Sequence, residues 1–323
     1  MRFVVFGTGA IGGAVAAALH LAQKDVIAIS RGAQLDAIRS KGLRLRTPLM
    51  DEVVKLHAVG AANDIEFGPD DMILLAMKGQ DTGEALEDLR AAGVTDQPIF
   101  CLQNGVANES KALRLFPNVH GVTVMMPALF TVPGEVVVQS APKTGLFYIG
   151  RYPGGMDDAD ESLCAALTDA GIAAFPKDNV MATKYGKLLM NLSNIVGAAL
   201  GHGAPAPGLR ETMRAEAEAV LAAAGVDWED VGMDHPDRKA HMTFTKVAGV
   251  ENAGTSTTQS FLRKTKRVET DWLNGEIVWL GRLHGVPVPV NAALTRIAAR
   301  MARDGVAPGS VTMDEIEAEI RTS

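Results

Sequence analysis

Lys187, Asn191 and Asn194 stand at i, i+4 and i+7 within the stretch Met181 to Leu200. On one continuous helix all three would project from a single stripe. The other positions are mostly apolar, and a polar stripe on a buried helix costs free energy unless it is paired or lines a polar cavity. Two readings fit. One is a lysine that protonates a carbonyl oxygen, its pKa drawn towards neutrality by desolvation. The other is a helix end with a snorkelling lysine and two amides that cap backbone. In Val268-Glu269-Thr270-Asp271-Trp272-Leu273-Asn274-Gly275-Glu276, Glu269 falls on the apolar side. It is either a charge partner for such a lysine or an exposed helix glutamate. Upstream, Gly254-Thr255-Ser256-Thr257-Thr258-Gln259 offers hydroxyls to a carboxylate, or serves as an ordinary Ser/Thr N-cap. Lys184 lies three residues earlier, still near that face, and is the obvious confounder for Lys187; its removal is expected to be nearly silent in catalysis.

A second set of residues opens the chain. The strand Arg2 to Phe6 runs into Gly7-Thr8-Gly9-Ala10-Ile11-Gly12 and then an alanine-rich helix. This is G-x-G-x-x-G in the strand–turn–helix setting that gives the pattern meaning. Gly7 permits the tight turn, Gly9 lets a diphosphate approach the backbone, and Gly12 lets helix pack on strand. The free N–H groups at the helix start face the diphosphate. The following strand ends in Ser30-Arg31-Gly32, without the carboxylate that holds a ribose 2′-hydroxyl in NAD-specific units. Arg31 suits a 2′-phosphate, with Ser30 as an extra donor, so NADP(H) is expected over NAD(H). A solvated surface arginine would look the same.

The elements that position these residues follow from hydrophobic patterning. Buried strands are expected at Asp25–Ser30, Asp71–Met77 and Pro98–Leu102, with helices at Ala33–Ser40 and from Thr82 to about Leu89. Leu43 to Ala58 reads as extended, partly exposed chain. Further strands, expected to be antiparallel, lie at Val119–Val124, Glu135–Val138 and Gly145–Ile149. Strands alternating with helices imply a parallel, doubly wound α/β sheet. Ligands there sit beyond the carboxyl ends of the strands, which places Arg31, Lys78 and Asn104 near the cofactor. From Lys177 onward helices dominate: Met181–Leu200, Leu209–Ala224, His235–Lys246, Gln259–Leu283, Asn291–Arg303 and Met313–Arg321. Domains at 1–176 and 177–323, with a site at the cleft between them, are the expectation.

Composition narrows the class. With 323 residues, 47% hydrophobic and 21% charged, the chain fits a soluble globular protein of two domains. A formal charge of −7 argues against nucleic acid or an anionic membrane as partner. The basic run Arg263-Lys264-Thr265-Lys266-Arg267 reads as a solvated helix face. Two cysteines, Cys101 and Cys164, provide neither a disulfide framework nor metal-ligand spacing, so no metal is expected. The N-terminus reads as a core strand rather than a signal peptide, and a cytoplasmic enzyme fits.

Taken in order, G-x-G-x-x-G, strand-end Arg, strand-end Lys, Asn-Gly, K-x-x-x-N, S-x-x-Q and E-x-D-x-x-N-G resemble the ketopantoate reductase (2-dehydropantoate 2-reductase) family over nearly the whole chain. The resemblance implies a Rossmann domain followed by a helical domain like that of 6-phosphogluconate dehydrogenase, and NADPH-dependent reduction of a 2-keto acid. It implies Lys187 as general acid, Asn191 as a substrate contact and Glu269 as the acidic residue near the lysine. It further implies Lys78 and Asn104 in the cofactor site, Arg31 on the 2′-phosphate and Ser256 on the substrate carboxylate. Two departures fall in the substrate pocket. The family often has a second asparagine eight residues after the lysine, where this chain has Ile195 and places Asn194 one position earlier; Ser260 stands where an acidic residue is common. The leading substrate is ketopantoate. A relative reducing another keto acid or ketone is the nearer rival, and a non-catalytic NADP(H)-sensing regulator is the more distant one. Lys187 and Glu269 together argue against the sensor, which needs neither. A homodimer is compatible with the sequence but not dictated by it.

Overall fold

Alternation of side chains along a strand decides the layering of the N-terminal part. In β1 (Arg2–Phe6), Phe3 and Val5 join one buried apolar cluster, while Val4 and Phe6 join another. A strand covered on both faces belongs inside a parallel sheet flanked by helices. The computed structural model, which describes residues 1–130, 132–250, 254–263 and 267–322, has that architecture. After β1 come α1 (Ala10–Leu21), β2 (Asp25–Ile29), α2 (Gly32–Lys41), β3 (Leu43–Arg46), β4 (Asp51–Val54) and β5 (His57–Val59). Next are β6 (Asp71–Leu75), α3 (Thr82–Ala91), β7 (Ile99–Cys101), α4 (Asn108–Leu113), β8 (Val119–Met125) and β9 (Ala128–Leu129). Then follow β10 (Glu135–Val138), β11 (Ser140–Pro142), β12 (Leu146–Arg151), α5 (Asp158–Asp169) and β13 (Ala173–Pro176).

The main sheet has the order β13-β12-β8-β7-β6-β1-β2-β5. From β8 to β5 all neighbours are parallel; β12 is antiparallel to β8, and β13 is parallel to β12. The expected antiparallel character of the later strands therefore holds for β12 on β8. It holds also for β10 on β9, but fails for β8, which is parallel to β7, and between β10 and β3, which pair in parallel in a second sheet of order β4-β3-β10-β9.

The rest of the chain forms α6 (Val180–Asn191), α7 (Asn194–Leu200), α8 (Leu209–Ala223), α9 (Pro236–His241), β14 (Met242–Phe244), α10 (Ser256–Leu262), α11 (Asn274–His284), α12 (Pro289–Asp304) and α13 (Met313–Arg321). Three of the expected helices are interrupted. Met181–Leu200 breaks at Leu192-Ser193, where Ser193 Oγ donates to the Met190 carbonyl and Asn274 Nδ2 donates to the Leu192 carbonyl. Such side-chain bonds compete with the helical ladder. His235–Lys246 ends as a helix at His241, because Met242–Phe244 pairs antiparallel with β11. Gln259–Leu283 divides into α10, a single 3₁₀ turn at Glu269–Trp272, and α11, with Leu273 at φ −115°, ψ −89° outside helical geometry. Lys264, Thr265 and Lys266 of the basic run lie outside the described residues.

The chain divides into two compact units. One is Met1–Lys184 with Asp230–Val250; the other is Tyr185–Glu229 with Glu251–Ser323. The expected boundary at 176/177 thus moves into α6, because Lys184 is bonded into the first unit. The β11–β14 pairing returns residues 230–250 to that unit as well. Among the described residues, no helix is long and apolar enough to cross a membrane.

Candidate active site

The three glycines of the first turn differ in what surrounds them. Gly7 has φ +97°, and a Cβ there would lie 2.9 Å from the Met77 nitrogen. A Cβ on Gly12 would stand 1.9 Å from the Gly7 carbonyl oxygen, so α1 can pack this closely only without one. A Cβ on Gly9 would meet nothing within 4 Å. This is the combination a diphosphate cradle needs: a tight turn, a close helix and one open glycine. Helix α1 begins at Ala10 with no side-chain cap, which leaves its first turn to a ligand or solvent.

A cavity of about 220 Å³ opens here, lined by Gly7, Thr8, Gly9, Ser30 and Arg31 among others. Ser30 and Thr8 are buried and their hydroxyls lie 2.5 Å apart. Gln34 ties the turn down by donating to the Thr8 carbonyl at 2.8 Å and accepting from the Gly134 amide at 2.7 Å. Arg31 is exposed and bridges to Glu84 at 3.3 Å and Asp88 at 2.9 Å, both on α3. Lys78 and Asn104, both half-buried, follow β6 and β7. The adjacent parallel strands β7, β6, β1 and β2 therefore bring Asn104, Lys78, the glycine turn and Arg31 to one edge of the sheet. These residues fit a dinucleotide.

The second unit carries the other candidates. Lys187 is half-buried on α6, and Asn191, the last residue of that helix, is buried. Asn194 opens α7, so it does not share one helix with Lys187 and Asn191, contrary to the i, i+4, i+7 expectation. Ile195, in the position where the family often has asparagine, is 1% exposed and belongs to the core. The cap of α10 is Thr255, whose Oγ1 accepts from the Thr258 amide, so Ser256 is not the N-cap. Thr255 also donates to the Asn194 carbonyl at 3.2 Å, which sets the start of α10 beside the start of α7. Glu269 is buried in the 3₁₀ turn. Asn274, five residues on, is wholly buried and donates to the Leu192 carbonyl at 3.2 Å and to Asn291 Oδ1 at 3.1 Å. It thereby ties the segment carrying Glu269 to the junction between Asn191 and Asn194.

Lys184, the neighbour of Lys187, is bonded into the core of the first unit. It is 3% exposed and its Nζ lies 2.5 Å from Glu109 of α4. Both residues could have been read from pattern: Val180, Lys184 and Leu188 fall at i, i+4, i+8, and Glu109, Ala112 and Phe116 at i, i+3, i+7, so each charge sits on an apolar stripe. A further charged group, His120 with Asp157 and Asp160, has metal-ligand composition. Its carboxylates are committed: Asp157 accepts from Ala159, Asp160 and Arg151, and Asp160 from the Asp157 amide and His120. It is the capping box of α5.

Comparison with known proteins settles the class. A family model described as ketopantoate reductase PanE/ApbA matches residues 3–154, and the model of that family's C-terminal part matches 179–302. The chain belongs to the ketopantoate reductase family. It is thus an oxidoreductase acting on a CH–OH group. A 2-dehydropantoate 2-reductase of Archaeoglobus fulgidus is 28% identical over 305 residues, 92% of this chain and 96% of that one. A crystal structure of a PanE/ApbA family ketopantoate reductase from Ralstonia eutropha superposes with a TM-score of 0.77 at 28% identity, covering 94% and 99% of the two chains. A D-mandelate dehydrogenase with NADH and anilino(oxo)acetate shares the fold: TM-score 0.80 at 22% identity, over 95% and 100%.

Proposed function

We propose that the protein reduces a 2-keto acid with NADPH, most directly 2-dehydropantoate (ketopantoate) to pantoate, with Lys187 as general acid. The observation that carries this reading is the second unit's arrangement: a buried Glu269 on a segment that Asn274 ties to the end of Lys187's own helix. When bound, the nicotinamide supplies hydride to the keto carbon. Lys187 donates a proton to the oxygen as its charge develops, and stabilisation of that oxygen is a large part of catalysis. Glu269 holds Lys187 charged and oriented. Asn191 and Asn194 orient the substrate, and the Ser256 hydroxyl receives its carboxylate. In the first unit the glycine turn, Lys78 and Asn104 would hold the dinucleotide. Arg31 would exchange Glu84 and Asp88 for the 2′-phosphate, the preference for NADP(H) being part of the proposal.

A second reading, another 2-keto acid in place of ketopantoate, is supported by the pocket departures. Ile195 is core, and Ser260 donates to the Ser256 carbonyl at 3.1 Å where an acidic residue is common in the family. A panel of 2-keto acids assayed by NADPH and NADH oxidation separates these. Highest kcat/KM for ketopantoate with NADPH supports the first reading, and highest kcat/KM for another keto acid supports the second. Turnover of none refutes both.

A further inference from the structure

Behind the strand ends that carry Lys78 and Asn104 lies a buried polar assembly that the proposed reaction does not use. Lys184 and Glu109 form an ion pair whose side chains are 2% and 0% exposed. The same ammonium donates to the carbonyls of Gln103 at 3.0 Å, Val122 at 3.3 Å and Cys101 at 3.5 Å. Gln103 continues the network: its side-chain amide donates to the Met77 carbonyl at 3.0 Å and to Thr82 Oγ1 at 2.7 Å. Thr82 donates to Asn108 Oδ1 at 2.9 Å, and Asn108 Nδ2 donates to the Asn104 carbonyl at 3.1 Å. Thr82, Gln103 and Asn108 are all buried.

Two features give this assembly a direction. First, three of its five backbone contacts fall on two strand-end turns: the carbonyls of Met77, Gln103 and Asn104 directly precede or belong to the residues assigned to the cofactor. Second, stability does not account for it. An ion pair buried in a core loses so much hydration that apolar replacements of similar volume are often as stable or more so. What a lysine with several carbonyl partners does supply is a fixed orientation of the peptide planes it bonds. In the absence of such partners, a strand-end turn of this kind has several accessible conformations, and ligand binding must select one of them.

We propose that Lys184 and Glu109 are positioning residues for the nicotinamide cofactor. They hold the Gln103-Asn104 peptide and, through Gln103, Thr82 and Asn108, the Met77-Lys78 turn in the geometry that receives it. The inference rests on the reading above that Lys78 and Asn104 belong to the cofactor site.

The test uses the full chain and NADPH fluorescence titration beside thermal melts. The double variant Lys184→Met/Glu109→Leu removes both charges without leaving either one unpaired. It is expected to melt near the wild-type temperature yet bind NADPH at least about tenfold more weakly, as for lost bonds to a charged donor. KM for NADPH should rise more than kcat falls. Thr82→Val interrupts the network without touching a charge and should weaken NADPH binding in the same sense, while Thr82→Ser retains the hydroxyl and restores it. This pair decides the matter even if the double variant does not fold. Wild-type NADPH affinity in Thr82→Val, or in a folded double variant, overturns the positioning role, provided Asn104→Ala weakens binding. If Asn104→Ala itself binds NADPH as wild type does, the cofactor-site reading beneath the proposal is what fails.

Discussion

Lys184 and Lys187 are one helical turn apart and are put to different uses. Lys184 lies on the stripe of Val180 and Leu188, both fully buried, and its charge is balanced by Glu109. Lys184→Ala would leave the Glu109 carboxylate buried without a counter-ion, and breaking such a pair typically costs about 3–5 kcal/mol. Denaturant unfolding should show a loss of that order; a midpoint unchanged from wild type would mean that Glu109 is neutral or hydrated. Arg31 is the opposite case. Its bridges to Glu84 and Asp88 are exposed, and exposed pairs contribute only about 0–1 kcal/mol each. A 2′-phosphate can therefore displace them at little cost. Arg31→Ala should weaken NADPH binding by about 1.5–3 kcal/mol and barely affect NADH. Equal losses for both nucleotides in a fluorescence titration would make Arg31 a structural residue.

Helix boundaries decide which polar groups are spoken for. Because Thr255 caps α10, Thr255→Ala should cost about 1 kcal/mol of stability. Ser256→Ala should leave the melt unchanged and raise KM for the keto acid more than it lowers kcat, as a contact made in both ground and transition states does. The reverse pattern would remove Ser256 from the substrate site. At α5, burial raises the Asp157 carboxyl, but His120, Arg151 and the Ala159 and Asp160 amides outweigh it and leave its pKa below the ordinary value. A carboxyl depressed by folding stabilises above its unfolded pKa of about 3.9, and that contribution is lost as pH falls. Asp157→Asn, which keeps a cap acceptor but not the charge, should be less stable than wild type at neutral pH and lose that deficit in acid. Urea midpoints at the two pH values measure this.

The strands of the sheet were legible because continuous apolar runs such as Met72 to Leu75 have few other uses in a soluble chain. The helix breaks were not. Apolar periodicity runs straight through Leu192-Ser193, and the bonds that end α6 come from Ser193 locally and from Asn274, 82 residues away. Likewise Met242–Phe244 becomes a strand only because β11 offers an edge. The glycine turn was legible from its spacing, since Gly7 takes a positive φ and Gly12 lies against the Gly7 carbonyl. The burial of Lys184 was legible in the stripe of Val180 and Leu188, but its pairing was not, because Glu109 lies on α4.

At the scale of the molecule, the glycine turn, Ser30, Arg31, Lys78 and Asn104 belong to one unit, and Lys187, Asn191, Asn194, Ser256 and Glu269 to the other. The first unit is not finished when the sheet is: residues 230–250 return to supply β14. The net charge is −7, and Arg31 at the strand ends faces Glu84 and Asp88, so the proposed 2′-phosphate would have to displace two carboxylates there. In the proposed reaction the proton comes from one side chain, Lys187. The most direct measurement is ketopantoate-dependent NADPH oxidation by wild type and Lys187→Ala, with NADPH affinity measured on both. The account predicts a kcat lower by about 10²–10⁴-fold in the variant, with NADPH binding unchanged. A variant that binds NADPH and turns over the keto acid at the wild-type rate would contradict it.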